Sequence, residues 1–209
     1  MEGTAVYEDS STTRSEIVNA GQATWDLGLN SLKSGNVSIL LSSDDILITK
    51  SGRSLRGLKP YSDLIVVDSL EANRGEASCE FYVHRGIYKR AARGRSAILH
   101  CHPVYTIAAS WIYNDRIPPA YNEAKDVLGH TPVLESQDQE SLGEDPTHIA
   151  RALVESKIVA VRGHGTFALA ETLDECVYLT HLLNNSCHVL FLKGQAASVN
   201  TLVGTHSHD

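Results

Sequence analysis

The stretch Ala97-Ile98-Leu99-His100-Cys101-His102-Pro103 reads as a buried strand that stops at a proline. Alternation along a strand sends His100 and His102 to one face and Cys101 to the other, so two imidazoles stand side by side on rigid backbone. That is chelate spacing, although the same pair also suits two strand-end histidines that only hydrogen-bond. A third ligand decides between these readings, and Arg162-Gly163-His164-Gly165 offers one. His164 follows an apolar strand over 158–161, in a turn whose glycines permit close backbone approach. Three neutral imidazoles leave the charge of a dipositive ion uncompensated and one position open, the arrangement of a Lewis-acid site.

Outward from this strand, short apolar runs predict strands over 37–41, 46–49, 64–68, 131–134 and 167–170, the first two forming a hairpin around 42–45. Helices are expected over 14–33, 79–92, from 103 to about 113, over 146–155 and over 173–193. Thr13 and Glu16 stand in capping-box spacing before the first, with Val18, Trp25, Leu29 and Leu32 on one face. Strands that alternate with helices in this way indicate a central sheet covered by helices, α/β or α+β in type. The 209 residues suit one domain, with short polar tails at about 1–12 and 194–209.

Composition narrows the function classes. Eighteen Lys and Arg against 25 Asp and Glu give a net charge of −7, unfavourable for docking on a phosphate backbone, so no nucleic-acid partner is expected. No run approaches the roughly 18 apolar residues of a membrane span. Four cysteines, at 79, 101, 176 and 187, form no CxxC pair, which predicts a reduced, cytoplasmic setting. Of the ten histidines, His181, His188, His130, His148, His206 and His208 suit packing or chain ends, and His84, one turn after Glu80, a structural or supporting role. Arg85, Lys89, Arg90, Arg93 and Arg95 suit a solvated face or a subunit salt bridge, with an acidic counterpart in Glu135, Asp138, Glu140, Glu144 and Asp145.

Glu80 falls at a helix N-terminus, where the macrodipole stabilises a carboxylate or a bound anion. Ser34-Gly35-Asn36-Val37-Ser38 and Thr49-Lys50-Ser51-Gly52 are turns rich in hydroxyls and backbone donors, able to nest a phosphate or to serve as ordinary loop chemistry. Taken in order, these two turns, Ser78-Cys79-Glu80, His100-Cys101-His102-Pro103 and Arg162-Gly163-His164-Gly165 resemble the successive motifs of the class II sugar-phosphate aldolase and adducin-head family, which includes fuculose 1-phosphate aldolase. The likeness runs from about residue 14 to 193.

The resemblance implies a three-layer α/β/α domain with a mainly antiparallel sheet, assembled as a homotetramer. It further implies zinc, or another divalent metal, one per subunit, on His100, His102 and His164, with Glu80 as catalytic acid/base and as a ligand when substrate is absent. Asn36, Ser51, Gly52 and Ser78 match positions that hold substrate phosphate. Cys79 stands where aldolases commonly have serine, and Lys50 where many relatives have proline. Tyr121 lies near the region from which a neighbouring subunit supplies a catalytic tyrosine, with Asn122 competing for the position. The implied activity is cleavage of a small ketose 1-phosphate, or a deoxy sugar phosphate, to dihydroxyacetone phosphate and an aldehyde. Sugar-phosphate 4-epimerisation, where relatives tend to place aspartate at the position of Glu80, and decarboxylation of a phosphorylated sugar acid are the enzymatic rivals. A non-catalytic adducin-like module is the rival outside enzymes.

Overall fold

Strands whose successive residues are all apolar must bury both faces, and a sheet buried on both faces needs a helical layer on each side. The computed structural model, which describes residues 7–70, 73–136 and 147–204, has this architecture. Its elements in chain order are α1 (Ser11–Asp26), β1 (Asn36–Leu40), β2 (Ile46–Thr49), β3 (Leu64–Val67), α2 (Phe81–Ala91), β4 (Ala97–Cys101), α3 (Val104–Ile112) and β5 (Arg116–Ile117). There follow α4 (Asn122–Val127), β6 (Thr131–Leu134), α5 (Thr147–Glu155), β7 (Ile158–Val161), β8 (Gly165–Ala170) and α6 (Leu173–Gly204).

The eight strands form one sheet in the order β3-β2-β1-β4-β8-β7-β6-β5. Every pairing is antiparallel except β6 with β7. Alternation divides the core in two. Ala97, Leu99, Cys101, Ala160 and Ala168 face a cluster built with α1, α3 and α6. Ile98, Val159, Val161, Phe167 and Leu169 face a second cluster built with α2 and α5. The expected three-layer α/β/α fold with a mainly antiparallel sheet is therefore the fold observed.

Several expected boundaries move, each for a local reason. Ser10, not Thr13, caps α1: its hydroxyl accepts the Thr13 backbone N–H at 3.2 Å. The helix ends at Asp26, before Gly28 turns the chain at φ +66°. Its inward face is Thr13, Ile17, Ala20, Gly21 and Thr24. Leu29 is buried only after the helix has ended, and Leu32 is exposed. Part of the expected tail at 1–12 packs on the fold: Tyr7 is buried and its carbonyl accepts the Ser42 N–H. The expected tail at 194–209 also gives way: α6 runs on to Gly204 through Gln, Ala and Ser residues that favour or tolerate a helix. Sequence periodicity missed β5 and α4, two short elements around Pro118-Pro119.

Arg95 is neither on a solvated face nor in a salt bridge among the described residues. Its guanidinium donates to the carbonyls of Ala91 and Leu153 at 2.6 and 2.7 Å, joining the C-terminal ends of α2 and α5. Glu135 pairs with Arg162 at 2.9 Å. Asp138, Glu140, Glu144, Asp145, His206 and His208 lie outside the described residues.

Candidate active site

Sheet register builds the floor of the site. Asn36 of β1 lies opposite His100 of β4, and His100 lies opposite Phe167 of β8. Cross-strand neighbours share a face, so the three form a row beneath the start of α2. The His100 ring stacks on Phe167, with centroids 4.2 Å apart and planes within 18°. Its Nδ1 lies 2.9 Å from the Thr166 carbonyl oxygen. A carbonyl only accepts, so Nδ1 carries the proton and Nε2 keeps its lone pair for the cluster.

His102 comes just after β4 and is held through its backbone. Asn30 Oδ1 accepts the His102 N–H at 3.0 Å, while Asn30 Nδ2 donates to Thr24 Oγ1 and Cys101 Sγ, each at 3.2 Å. His164 enters from the β7–β8 turn. Gly163 there has φ +68°, and a Cβ on it would overlap the Trp111 indole. A Cβ on Gly165 would overlap the Cys101 carbonyl, so this glycine lets the turn close onto β4. Arg162 braces the same turn, donating to the carbonyls of Ser110 and Asn114 and pairing with Glu135.

The three rings meet with centroids 4.8 to 4.9 Å apart, and one ligand atom from each lies within 4.8 Å of the others. His100 Nε2 and His102 Nε2 are 2.9 Å apart. Two imidazole lone pairs facing at that distance repel unless a proton or a cation lies between them. Tetrahedral coordination at zinc–nitrogen distances of about 2.0–2.1 Å spaces ligand nitrogens by roughly 3.3 Å, close to the spacing found. The donor set thus fits a zinc-like ion. Burial, and then the charges of the neighbouring imidazoles, holds His100 well below the usual histidine range. Burial lowers His102 as well, with His164 adding to the effect and Glu80 opposing it. Both shifts favour the neutral imidazole, the form that can ligate a metal.

Glu80 is the N-cap residue of α2 and makes no side-chain cap there. Its carboxylate turns to the cluster instead, with Oε2 at 3.2 Å from His100 Nε2 and Oε1 at 3.5 Å from His164 Nε2. Asn36 Nδ2 donates to Oε2 at 2.5 Å. His84, one turn on, is fully buried and supports this floor through Ser38 Oγ, 2.7 Å from its Nδ1. Burial pushes the His84 imidazole down to about 3, with Glu80 opposing the shift and His100 adding to it.

A cleft of about 310 Å³ opens from His102, His164 and Glu80. Ser34, Gly35, Asn36, Lys50, Ser51, Gly52, Ser78 and Cys79 line the same cleft, so the structure brings the expected phosphate-site residues together. Backbone bonds zip the two loops concerned: Ser51 N–H to Glu76, and Ser78 N–H to Thr49. Lys33 and Arg53 also line the cleft, and the sequence reading misses both. Lys50 pairs with Glu76 at 2.9 Å and Arg53 with Asp63 at 3.4 Å. Lys33 makes no ion pair among the described residues. Asn30 and Arg162 are the other missed contributors. Running α1 through residue 33 hides Asn30, and Arg162 stands in the sequence only as a flank of His164.

Tyr121 does not reach this cleft within its own chain. It precedes α4, whose neighbour Glu123 accepts a hydrogen bond from Tyr178 at 2.8 Å. His181 bonds Asn185 at 2.9 Å and His188 stacks on Tyr105 at 3.9 Å, both packing contacts. Among the described residues no helix is long and apolar enough to cross a membrane.

Residues 15–191 match the family model described as class II aldolase and adducin N-terminal domain. The 5-methylthioribulose-1-phosphate/5-deoxyribulose-1-phosphate aldolase of Escherichia coli O45:K1 is 30% identical over 154 residues, covering 73% of this chain and 70% of that protein. Decarboxylase NovR of Streptomyces niveus is 30% identical over 141 residues, covering 65% of this chain. The match spans about half of that relative's length, 52%. Among solved structures, l-fuculose-1-phosphate aldolase from Thermus thermophilus superposes with a TM-score of 0.83 at 28% identity, covering 90% of this chain and 97% of that one.

Proposed function

Because the chain belongs to the class II aldolase and adducin family, we propose that it is a metal-dependent aldolase cleaving a small ketose 1-phosphate or deoxy sugar phosphate to dihydroxyacetone phosphate and an aldehyde. The observation that carries this reading is the convergence of His100, His102 and His164 with Glu80 beside a cleft that Lys33, Lys50, Ser51, Gly52, Arg53 and Ser78 also line. A zinc ion on the three histidines, one per subunit, supplies a Lewis acid for the carbonyl end of the substrate.

The chain's own residues do the rest. Glu80 moves the proton at the carbon beside the carbonyl, the step that makes or consumes dihydroxyacetone phosphate. Asn36 fixes the orientation of Glu80 through its amide. Ser51, Gly52, Ser78 and Cys79 supply hydroxyl, backbone and thiol groups to the phosphate, and Lys33, Lys50 and Arg53 supply positive charge there. Holding the remote phosphate orients the reacting carbons. Proton transfer at the aldehyde oxygen falls to Tyr121 of a neighbouring subunit in a homotetramer. Exposed Val104, Trp111 and Ile112 on α3 support such an assembly, as large apolar side chains left for a partner to cover. The four free cysteines support a reducing, cytoplasmic setting.

The test incubates metal-analysed protein with pentulose and hexulose 1-phosphates, their 5-phosphate counterparts and a phosphorylated aldonic acid. Formation of dihydroxyacetone phosphate, lost on chelation and restored by zinc, is the expected result. Released carbon dioxide would transfer the assignment to decarboxylation, and an isomerised ketose to epimerisation. A purified protein that neither holds metal nor turns over any of these would favour the adducin-like module.

A further inference from the structure

One side chain touches both halves of the site. Asn30 lies between α1 and β1, and because a backbone N–H only donates, the Asn30 atom 3.0 Å from the His102 N–H is Oδ1. Nδ2 then points the other way, donating to Thr24 Oγ1 and Cys101 Sγ. Thr24 is buried and gives its own proton to the Gly21 carbonyl at 2.8 Å, which leaves its oxygen free to accept. The amide is pinned at both ends. Gly35 rests on it: with φ +82°, a Cβ there would lie 2.8 Å from both Asn30 Nδ2 and Oδ1 and 2.6 Å from the His100 carbonyl oxygen. Ser34 Oγ, which accepts the Ser31 N–H at 2.9 Å, lies 3.5 Å from the same Oδ1. Ser34, Gly35 and Asn36 line the cleft, and so does His102.

Resting on the sugar-phosphate reading above, we propose that Asn30 is a positioning residue that couples binding of the metal to binding of the substrate's anionic group. An anion held at 34–36 fixes the loop that bears on the Asn30 amide. The amide in turn fixes the backbone from which the His102 ring reaches the metal. Whichever ligand binds first orders what the second needs, so each tightens the other by the same factor. Metal-free protein then holds a phosphorylated substrate poorly.

Zinc affinity measured by competition with a chromogenic chelator, with and without saturating inorganic phosphate, tests this. In wild type, phosphate should lower the zinc dissociation constant about tenfold. Asn30→Ala should cut that factor to about twofold, the part owed to direct attraction between ion and anion. Thr24→Val frees one end of the amide without touching the cleft; its factor should fall between the two, and it decides the matter if the alanine variant is unstable. A role in folding alone would weaken zinc equally with and without phosphate and leave the factor unchanged. An undiminished factor in the variants would therefore overturn the assignment, as would wild type that binds both ligands without coupling. Wild type that binds zinc and no phosphate would instead remove the sugar-phosphate reading, and wild type that binds no zinc the metal reading, each taking this assignment with it.

Discussion

His84 shows how the site depends on residues that never meet substrate. Tyr88 OH donates to the Ser96 carbonyl at 3.2 Å, so Ser38 Oγ donates to Tyr88 at 2.8 Å and accepts from His84 Nδ1 at 2.7 Å. Burial keeps His84 neutral in the fold, pushing it down to about 3, whereas the unfolded chain titrates near 6.5. A depressed histidine binds its proton more readily when unfolded, so its stabilising contribution is whole above about pH 6.5 and is lost as pH falls toward 3. Denaturant titrations of wild type over that window should show a slope steeper by up to about 1.4 kcal/mol per pH unit than those of His84→Asn. Parallel slopes would show that His84 is not buried neutral. At this scale the sequence is legible where chemistry is local. His100, His102, His164 and Glu80 stand out because their spacing relative to a strand, a turn and a helix start already implies direction. Asn30 and Lys33 do not, because their role depends on where α1 stops.

At the scale of elements, the β7–β8 turn sets His164, the third of the proposed ligands. Gly163→Ala must place a Cβ in the left-handed region and against Trp111. It should lower stability by about 1–3 kcal/mol and weaken zinc retention about tenfold, as read by thermal unfolding and by competition with a chromogenic chelator. Unchanged metal affinity would separate the turn from the site. Apart from the two-residue β5, strand positions are legible to within a residue or two because apolar runs bounded by turn residues have no helical alternative of that length. The ends of α1 and α6 are not. Helix ends depend on caps and on neighbours: Ser10 takes the cap from Thr13, and the segment after Lys193 continues a helix to Gly204 where its composition suggests a tail.

Across the whole molecule, a net charge of −7 is at odds with an anionic substrate unless positive potential is local. Lys33, Lys50 and Arg53 line the same cleft as His102 and His164 and gather it there. On the proposed reading, zinc on those histidines would link metal to global stability, since an ion bound only by the folded chain stabilises it by mass action. At free zinc about a hundredfold above its dissociation constant this contributes about 2.7 kcal/mol, so chelation should lower the Tm of wild type by about 5–10 °C. His100→Ala should lose this response to chelation. Two-sided burial and strand–helix alternation make the layered architecture readable from the sequence, but the cationic lining is not, because Lys33 and Arg53 reach the cleft from loops with no pattern of their own. The most direct measurement is exchange of solvent deuterium into dihydroxyacetone phosphate, followed by proton NMR. Zinc-loaded wild type should exchange one carbon-bound proton stereospecifically, and both chelation and Glu80→Gln should slow that exchange about 10²–10⁴-fold. Exchange at the wild-type rate in Glu80→Gln, or none in zinc-loaded wild type, would contradict it.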